Sequence, residues 1–279
     1  MIVNFFWMGE LTQYQLASML SFKNNGFEVI LWANQNHDVQ KYGIELKNSE
    51  DIVPLFSIKN VNQVSLHVPG QNGFYEKAAL YSDIFRFNLL NQKEGIWSDC
   101  DVFCLKPVEE WVKLYESSER IFAAGHGVDD KNVTGTGVLG FKNKKDSQNI
   151  LNIVQKIIEE KGNIEHEWAT FGPNLIDDYV KNNNINVFDC SKFYAVNWPE
   201  WKRLFSTNQD DVNYCFDMCK DSFCIHWWND ALDHNGIKAL PAKESYLGQL
   251  FSSVINYVDK EKISQRTSLL KQHKERFKR

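Results

Sequence analysis

The sequence predicts an α/β protein with a mostly parallel central sheet flanked by helices. Three observations carry that expectation. Two short apolar runs, residues 2–7 and 27–32, are separated by a helical pattern, a strand–helix–strand unit of the kind that builds parallel sheets. A long helical pattern over residues 76–93 feeds a further apolar segment, Ile96–Phe103. Strand-like runs at 121–124 and 138–141 then lead into an amphipathic helix. With 279 residues the chain is long enough to bury a sizeable core.

Taken in order, residues 2–7 form a strand broken by Gly9. Leu16, Met19, Leu20 and Lys23 recur at the spacing of one helix face, and Gly26 stops that helix. Phe27–Trp32 is the second strand. Ligands of such sheets sit at the carboxyl ends of strands, which is where Trp7 falls. Residues 34–73 are polar and asparagine-rich, and they read as mixed. Ala79, Leu80, Ile84, Phe87 and Leu90 mark the long helix, stopped by Gly95, and within it Asp83 and Arg86 share a face. Asp146 or Ser147 is expected to cap a helix through Ile150, Val154, Ile157 and Ile158. A further helix is expected near Pro173, a favoured first-turn residue, and Phe223–Trp228 reads as a late strand. The organisation expected is one catalytic domain over residues 1–258 and a basic helical tail over 259–279.

Composition narrows the function. A net charge of −5 argues against nucleic-acid binding, which needs a basic face. The N-terminus has no basic n-region or apolar h-region, and no run is long enough to span a bilayer, so a cytoplasmic protein is expected. The six cysteines are then expected to be reduced thiols. The tail, with Lys260, Arg266, Lys271 and Arg279 beside Leu269, Leu270 and Phe277, is either a solvated helix end or a peripheral membrane contact.

Candidate sites differ in specificity. Gly135-Thr136-Gly137-Val138-Leu139-Gly140 matches the dinucleotide fingerprint by letter, but no helix follows it, and a glycine-rich strand passing close beneath a ligand fits better. Cys215, Cys219, Cys224 and His226 lack the tight CxxC knuckle of a structural zinc site. Asp99-Cys100-Asp101 puts two carboxylates where a strand ends. Residues two apart on a strand point to one side, so Asp99 and Asp101 can converge on a hard cation. Alone, the pair is equally an ordinary solvated turn. A phospho-aspartate phosphatase motif needs Thr or Val four residues after the first Asp, where this chain has Phe103.

Five segments occur together and in order: Phe6-Trp7-Met8-Gly9, Ser82-Asp83-Ile84-Phe85-Arg86, Gly95-Ile96-Trp97-Ser98-Asp99-Cys100-Asp101, Phe171-Gly172-Pro173 and Ile225-His226-Trp227-Trp228-Asn229. Together they resemble the DxD-motif sugar-binding glycosyltransferases. That group includes α-1,4-galactosyl-, α-1,4-N-acetylglucosaminyl- and initiating α-mannosyltransferases and bacterial capsule enzymes, with the clostridial glucosylating toxins as distant relatives. The chain departs from the pattern in having Glu94-Gly95 where two glycines are usual, and Trp97 where Tyr is common.

The resemblance implies a GT-A-type nucleotide-sugar-binding fold and a metal-dependent, retaining transfer of a hexose from a UDP-sugar to an oligosaccharide or lipid-linked glycan, in bacterial surface polysaccharide synthesis. It implies Mn²⁺ or Mg²⁺ on Asp99 and Asp101, with His226 as a third ligand or a locally bonded core histidine. It implies donor contacts from Trp7, Asp83, Arg86, Trp97, Gly172, Pro173, Trp227, Trp228 and Asn229, the tandem tryptophans closing as a lid. On a strand only one of those two can face the cleft. No nucleophile is evident, so departure and attack on one face are expected, with Asp129, Asp130 or Asp230 as alternatives for a base. GDP-mannose as donor, and a non-catalytic carbohydrate-binding protein on the same fold, are the competing readings.

Overall fold

The computed structural model describes residues 1–53, 74–128, 131–161, 170–235 and 239–255. Strands β1 (Ile2–Phe6), β2 (Glu28–Ala33), β3 (Glu45–Asn48) and β4 (Ile96–Ser98) run parallel, joined in the order β3-β2-β1-β4. After β5 (Val102–Cys104), β6 (Ile121–Phe122), the hairpin β7 (Gly125–Val128) and β8 (Lys131–Thr134), and β9 (Val138–Phe141), the sheet is completed by β9 and β6, both antiparallel to their neighbours. A two-stranded antiparallel ribbon pairs β5 with β10 (Cys224–His226). The sheet is therefore mostly parallel with an antiparallel edge, as the strand–helix–strand pattern implied.

Eight helices are described: α1 (Gln13–Asn24), α2 (Phe74–Gln92), α3 (Val108–Ser117), α4 (Lys144–Lys161), α5 (Pro173–Asn182), α6 (Gln209–Cys219), α7 (Asn229–His234) and α8 (Tyr246–Val254). Strand alternation sends successive side chains to opposite faces of the sheet. Phe5, Leu31, Ile96 and Val138 enter one core with Phe22 of α1, Trp111 of α3 and Phe251 of α8. Phe6, Trp32, Trp97 and Leu139 enter the other with Phe85 of α2, Ile150 of α4 and Ile176 of α5. Both faces are covered, which is why the central strands read as continuous apolar runs.

Local chemistry fixes the joints. Thr12 caps α1 in a capping box with Gln15. That helix is buried nearly all round rather than along one stripe, with Ser18 Oγ donating to Val102 O at 2.6 Å and Ser21 Oγ accepting from Cys104 N–H at 2.8 Å. Asn143 caps α4, its side-chain oxygen accepting from Asp146 N–H at 3.1 Å. The expected cap at Asp146 or Ser147 lies three or four residues too far along, and Asp146 is instead taken up by a buried ion pair. Gly95 has φ +103°, and a Cβ there would sit 2.5 Å from Ile2 O, so one glycine meets the requirement of this turn. The polar stretch after β2 holds β3, a short edge strand with weak apolar signal, and residues 54–73 lie outside the described residues. So does the basic tail. No described helix is long and apolar enough to cross a membrane.

Candidate active site

Asp99 and Asp101 lie at the carboxyl end of β4, but not on one strand. The strand ends at Ser98, and Asp99-Cys100-Asp101 turns between β4 and β5. The two carboxylates therefore converge through this turn and not through the alternation of a strand. Cys100 points inward with Sγ 3.3 Å from Phe6 O, which leaves both carboxylates on the open side of the turn. β10 pairs with β5 in a register that places His226 opposite Val102. His226 Nε2 then stands 3.2 Å from Asp101 Oδ1 and 4.0 Å from Asp99 Oδ2. One ligand atom from each of the three residues lies within 4.8 Å of the others.

Each carboxylate is held from behind. Asp99 Oδ1 accepts from the Trp97 indole N–H at 2.7 Å and lies 3.5 Å from Arg86 Nη2, while its own N–H donates to Gly137 O. Asp101 Oδ2 accepts from Asn229 N–H at 2.8 Å, and Trp227 N–H donates to Asp101 O. Arg86 is almost wholly buried, pairs with Asp83 at 2.8 Å, donates to Thr136 O at 2.8 Å, and lies over the Trp97 ring. Gly172, just before Pro173 at the start of α5, backs onto the Asp83 carboxylate, 2.8 Å from where its Cβ would stand. Burial opposes ionisation of Asp99, but Arg86 and His226 outweigh it and hold that carboxyl below its ordinary range. Burial, with the Asp99 charge adding to it, pushes Asp101 up against the pull of His226. Burial lowers the imidazole's affinity for a proton, and the two carboxylates overcome that and raise it. Asp83 is pushed up to about 6 by burial, against Arg86.

The donor set of two carboxylates and an imidazole suits a divalent cation such as Mn²⁺, and the carboxylates fit without rearrangement. The imidazole needs one change. His226 Nδ1 accepts from Trp228 N–H at 3.1 Å, so the neutral ring carries its hydrogen on Nε2, facing Asp101. Ligation through Nε2 requires that backbone N–H to leave Nδ1.

The tryptophans separate. Trp97 is fully buried, so it presents no ring face to a cleft, and its indole N–H is spent on Asp99. Trp227 is also fully buried, packed on Tyr14 and Phe251; it is a core residue and does not line the site. Trp228 is half-buried, stands past the end of β10, and has φ +57°. Trp7 is half-buried at the carboxyl end of β1, its indole N–H donating to Glu10 O at 3.0 Å. Asp230 is exposed in the first turn of α7. Asp129 and Asp130 lie outside the described residues.

Tyr194, which carried no sequence motif, packs beneath the centre against the glycine segment. A Cβ on Gly137 would be 2.9 Å from His226 Cδ2, and one on Gly135 would be 2.5 Å from Tyr194 Oη. Those glycines keep the segment between β8 and β9 thin enough for Tyr194 and His226 to pack against it, which the Gly-x-Gly spacing marked only as a close approach.

The fold is that of the GT-A glycosyltransferases. Residues 164–254 match the alpha 1,4-glycosyltransferase conserved region, and residues 60–161 match the model of the capsular polysaccharide synthesis protein family. Among solved structures, the chain is similar to the galactosyltransferase LgtC in complex with donor and acceptor sugar analogues, at 13% identity and TM-score 0.50, over 94% of this chain and 98% of that one. It is also similar to the bifunctional glycosyltransferase WbbM, at 10% identity and TM-score 0.54, covering 95% of this chain and 51% of that longer one. No curated protein sequence matches.

Proposed function

We propose that this protein is a metal-dependent, retaining glycosyltransferase that moves a hexose from a UDP-sugar to a glycan acceptor in surface polysaccharide synthesis. The observation that carries this reading is the convergence of Asp99, Asp101 and His226 at the carboxyl end of β4. Two carboxylates this close repel, which is costly unless a cation belongs between them. Asp99, Asp101 and His226 would hold that cation, which when bound supplies Lewis-acid stabilisation to a departing diphosphate.

The surrounding residues act on position and charge. Arg86 and the Trp97 N–H keep Asp99 ionised and aimed. The Asn229 N–H aims Asp101 and ties the segment after β10 to the turn. Trp7 offers a ring at the end of β1, where a nucleotide base can stack. Asp83 acts through Arg86, because its carboxylate is paired with that guanidinium and packed closely against Gly172. Asp230, one residue beyond Asn229, is the described carboxylate proposed as a base. The two family matches support polysaccharide synthesis as the setting.

Mn²⁺-dependent release of UDP from a UDP-hexose, abolished by Asp101→Ala, is the expected result. Failure to bind UDP in a calorimeter, with and without Mn²⁺, would defeat the reading. Tighter binding of GDP than of UDP would replace the donor with GDP-mannose.

A further inference from the structure

One aromatic group next to the metal-binding residues is not used by the chemistry above. Trp228 lies 4.2 Å from the His226 ring, centroid to centroid, and stacks on Tyr194 at 5.8 Å with 27° between the planes. His126 of β7 packs on both, 5.8 Å from Trp228 and 5.7 Å from Tyr194. Trp198 stands perpendicular to Trp228 at 5.6 Å and is 37% exposed. The rings thus run without a break from solvent at Trp198 to the His226 imidazole.

Several features of this group are unfavourable in the free protein. Trp228 is, with Asn184, one of two described non-glycine residues with positive φ, and a bulky aromatic residue tolerates that conformation poorly. Its indole N–H is buried with no hydrogen-bond partner among the described residues. The same holds for Nδ1 of His126, on a side chain more than nine-tenths buried. A buried donor or acceptor without a partner is destabilising, and native proteins keep few of them. Here these two orphaned atoms, the likewise unpartnered Tyr194 Oη and a strained backbone meet in one aromatic cluster. Such a coincidence marks a place where a ligand completes the structure.

The position in the fold says which ligand. Asp99 leaves the end of β4, with β1 and Trp7 on one side of that strand. On the other side are β9, which follows Gly137, and β6, which precedes His126. The aromatic group lies on this second side, away from the ring proposed for the base. Among the described residues it contains no Lys or Arg. The charges beside it are carboxylates, Asp99 and Asp101 against His226 and Asp177 near His126, which would repel an anion. Its chemistry suits an uncharged ligand that offers apolar ring faces and hydroxyl groups. That description fits a pyranose.

We propose that Trp198, Trp228, Tyr194 and His126 form the subsite for a neutral acceptor saccharide, which stacks on the tryptophans and gives its hydroxyls to His126 Nδ1 and the Trp228 indole N–H. The proposal rests on the transferase reading above. It adds that acceptor and donor approach the cation from opposite sides of β4, and that Trp228 is shared between the acceptor and the His226 ligand.

The test uses the full chain with UDP and Mg²⁺, titrated with the methyl glycosides of galactose, glucose, N-acetylglucosamine and lactose. The readout is the set of indole N–H resonances, assigned by Trp198→Phe and Trp228→Phe. At least one glycoside is expected to shift the Trp198 or Trp228 signal and leave that of Trp7 in place. Absence of any shift, or a shift confined to Trp7, overturns the subsite. In transfer assays Trp198→Ala is expected to raise the glycoside KM about tenfold and the UDP-hexose KM less than twofold, with Trp198→Phe restoring the glycoside KM to within about threefold. An equal rise in both KM values would mean that the cluster holds the donor hexose, and the proposal falls. Loss of UDP binding in the unaltered protein would instead sink the transferase reading, and the glycoside shifts still judge the subsite. Trp198 is exposed enough that its replacement leaves the core intact.

Discussion

Asp99 and Asp101 are one residue apart, yet their environments drive their protonation in opposite directions. Arg86 and the Trp97 N–H lie behind Asp99, whereas Asp101 has a backbone N–H and an imidazole that is itself shared. Trp97→Phe removes the donor to Asp99 without opening the site. A hydrogen bond to a charged group contributes about 2 kcal/mol, so this variant is expected to lower the rate of Mn²⁺-dependent UDP-hexose hydrolysis by tenfold or more. Trp97→Tyr, which can carry a hydroxyl to the same place, is expected to lose less. Gly137→Ala tests the thin segment between β8 and β9 beneath the centre. Its methyl group would press on the His226 ring at 2.9 Å, and Mn²⁺ affinity measured by calorimetry is expected to fall about tenfold while the urea midpoint changes little.

Among the elements, the start of α4 and the turn before β4 carry separable stability. The buried Asp146 carboxylate pairs with Arg120, and accepts from Tyr179 Oη at 2.8 Å and Asn143 Nδ2 at 2.9 Å. Burial alone would raise its pKa, but those donors together hold it below the usual carboxylate range. The folded state therefore prefers the ionised form. That stability is present above the ordinary carboxylate pKa and is lost as pH falls through the lowered one. Urea midpoints are expected to drop from pH 6 to pH 3, and Asp146→Asn is expected to flatten that dependence and cost about 2 kcal/mol at neutral pH. Gly95→Ala forces a side chain onto Ile2 O at positive φ, and is expected to cost about 2 kcal/mol or more in the same assay.

For the whole molecule, the residues proposed to hold the cation come from the turn after β4 and from β10, with supporting contacts from β4, α2 and the segment before β9. A ligand that binds only when these elements are assembled stabilises all of them by mass action, by about 2.7 kcal/mol at a hundred times its Kd. Mn²⁺ with UDP is expected to raise the Tm by a few degrees, EDTA to reverse the rise, and Asp101→Ala to abolish it. The same coupling involves Trp228. Its backbone N–H occupies His226 Nδ1, so full ligation of the cation requires the segment after β10 to shift.

Much of this arrangement was legible in the linear sequence because it rests on local periodicity. The strand–helix–strand start, α2 with Asp83 and Arg86 on one face, Pro173 at the start of α5 and the paired aspartates follow from spacing alone. The edge strand β3 was not legible, since a short polar strand gives almost no apolar alternation. Nor was the burial of Trp97 and Trp227, which depends on which sheet face each residue meets. His226 illustrates the division. Its type and its place in a late strand could be read directly, but only the β5–β10 register puts it against Asp101, 125 residues earlier in the chain. His126 and Tyr194 gave no signal at all. Sequence determined which groups could bind a cation and a sugar, because residue chemistry and local spacing are carried by neighbours in the chain. Tertiary structure decided which of them meet, because pairing across a sheet and packing between elements are set by the balance of contacts over the whole fold.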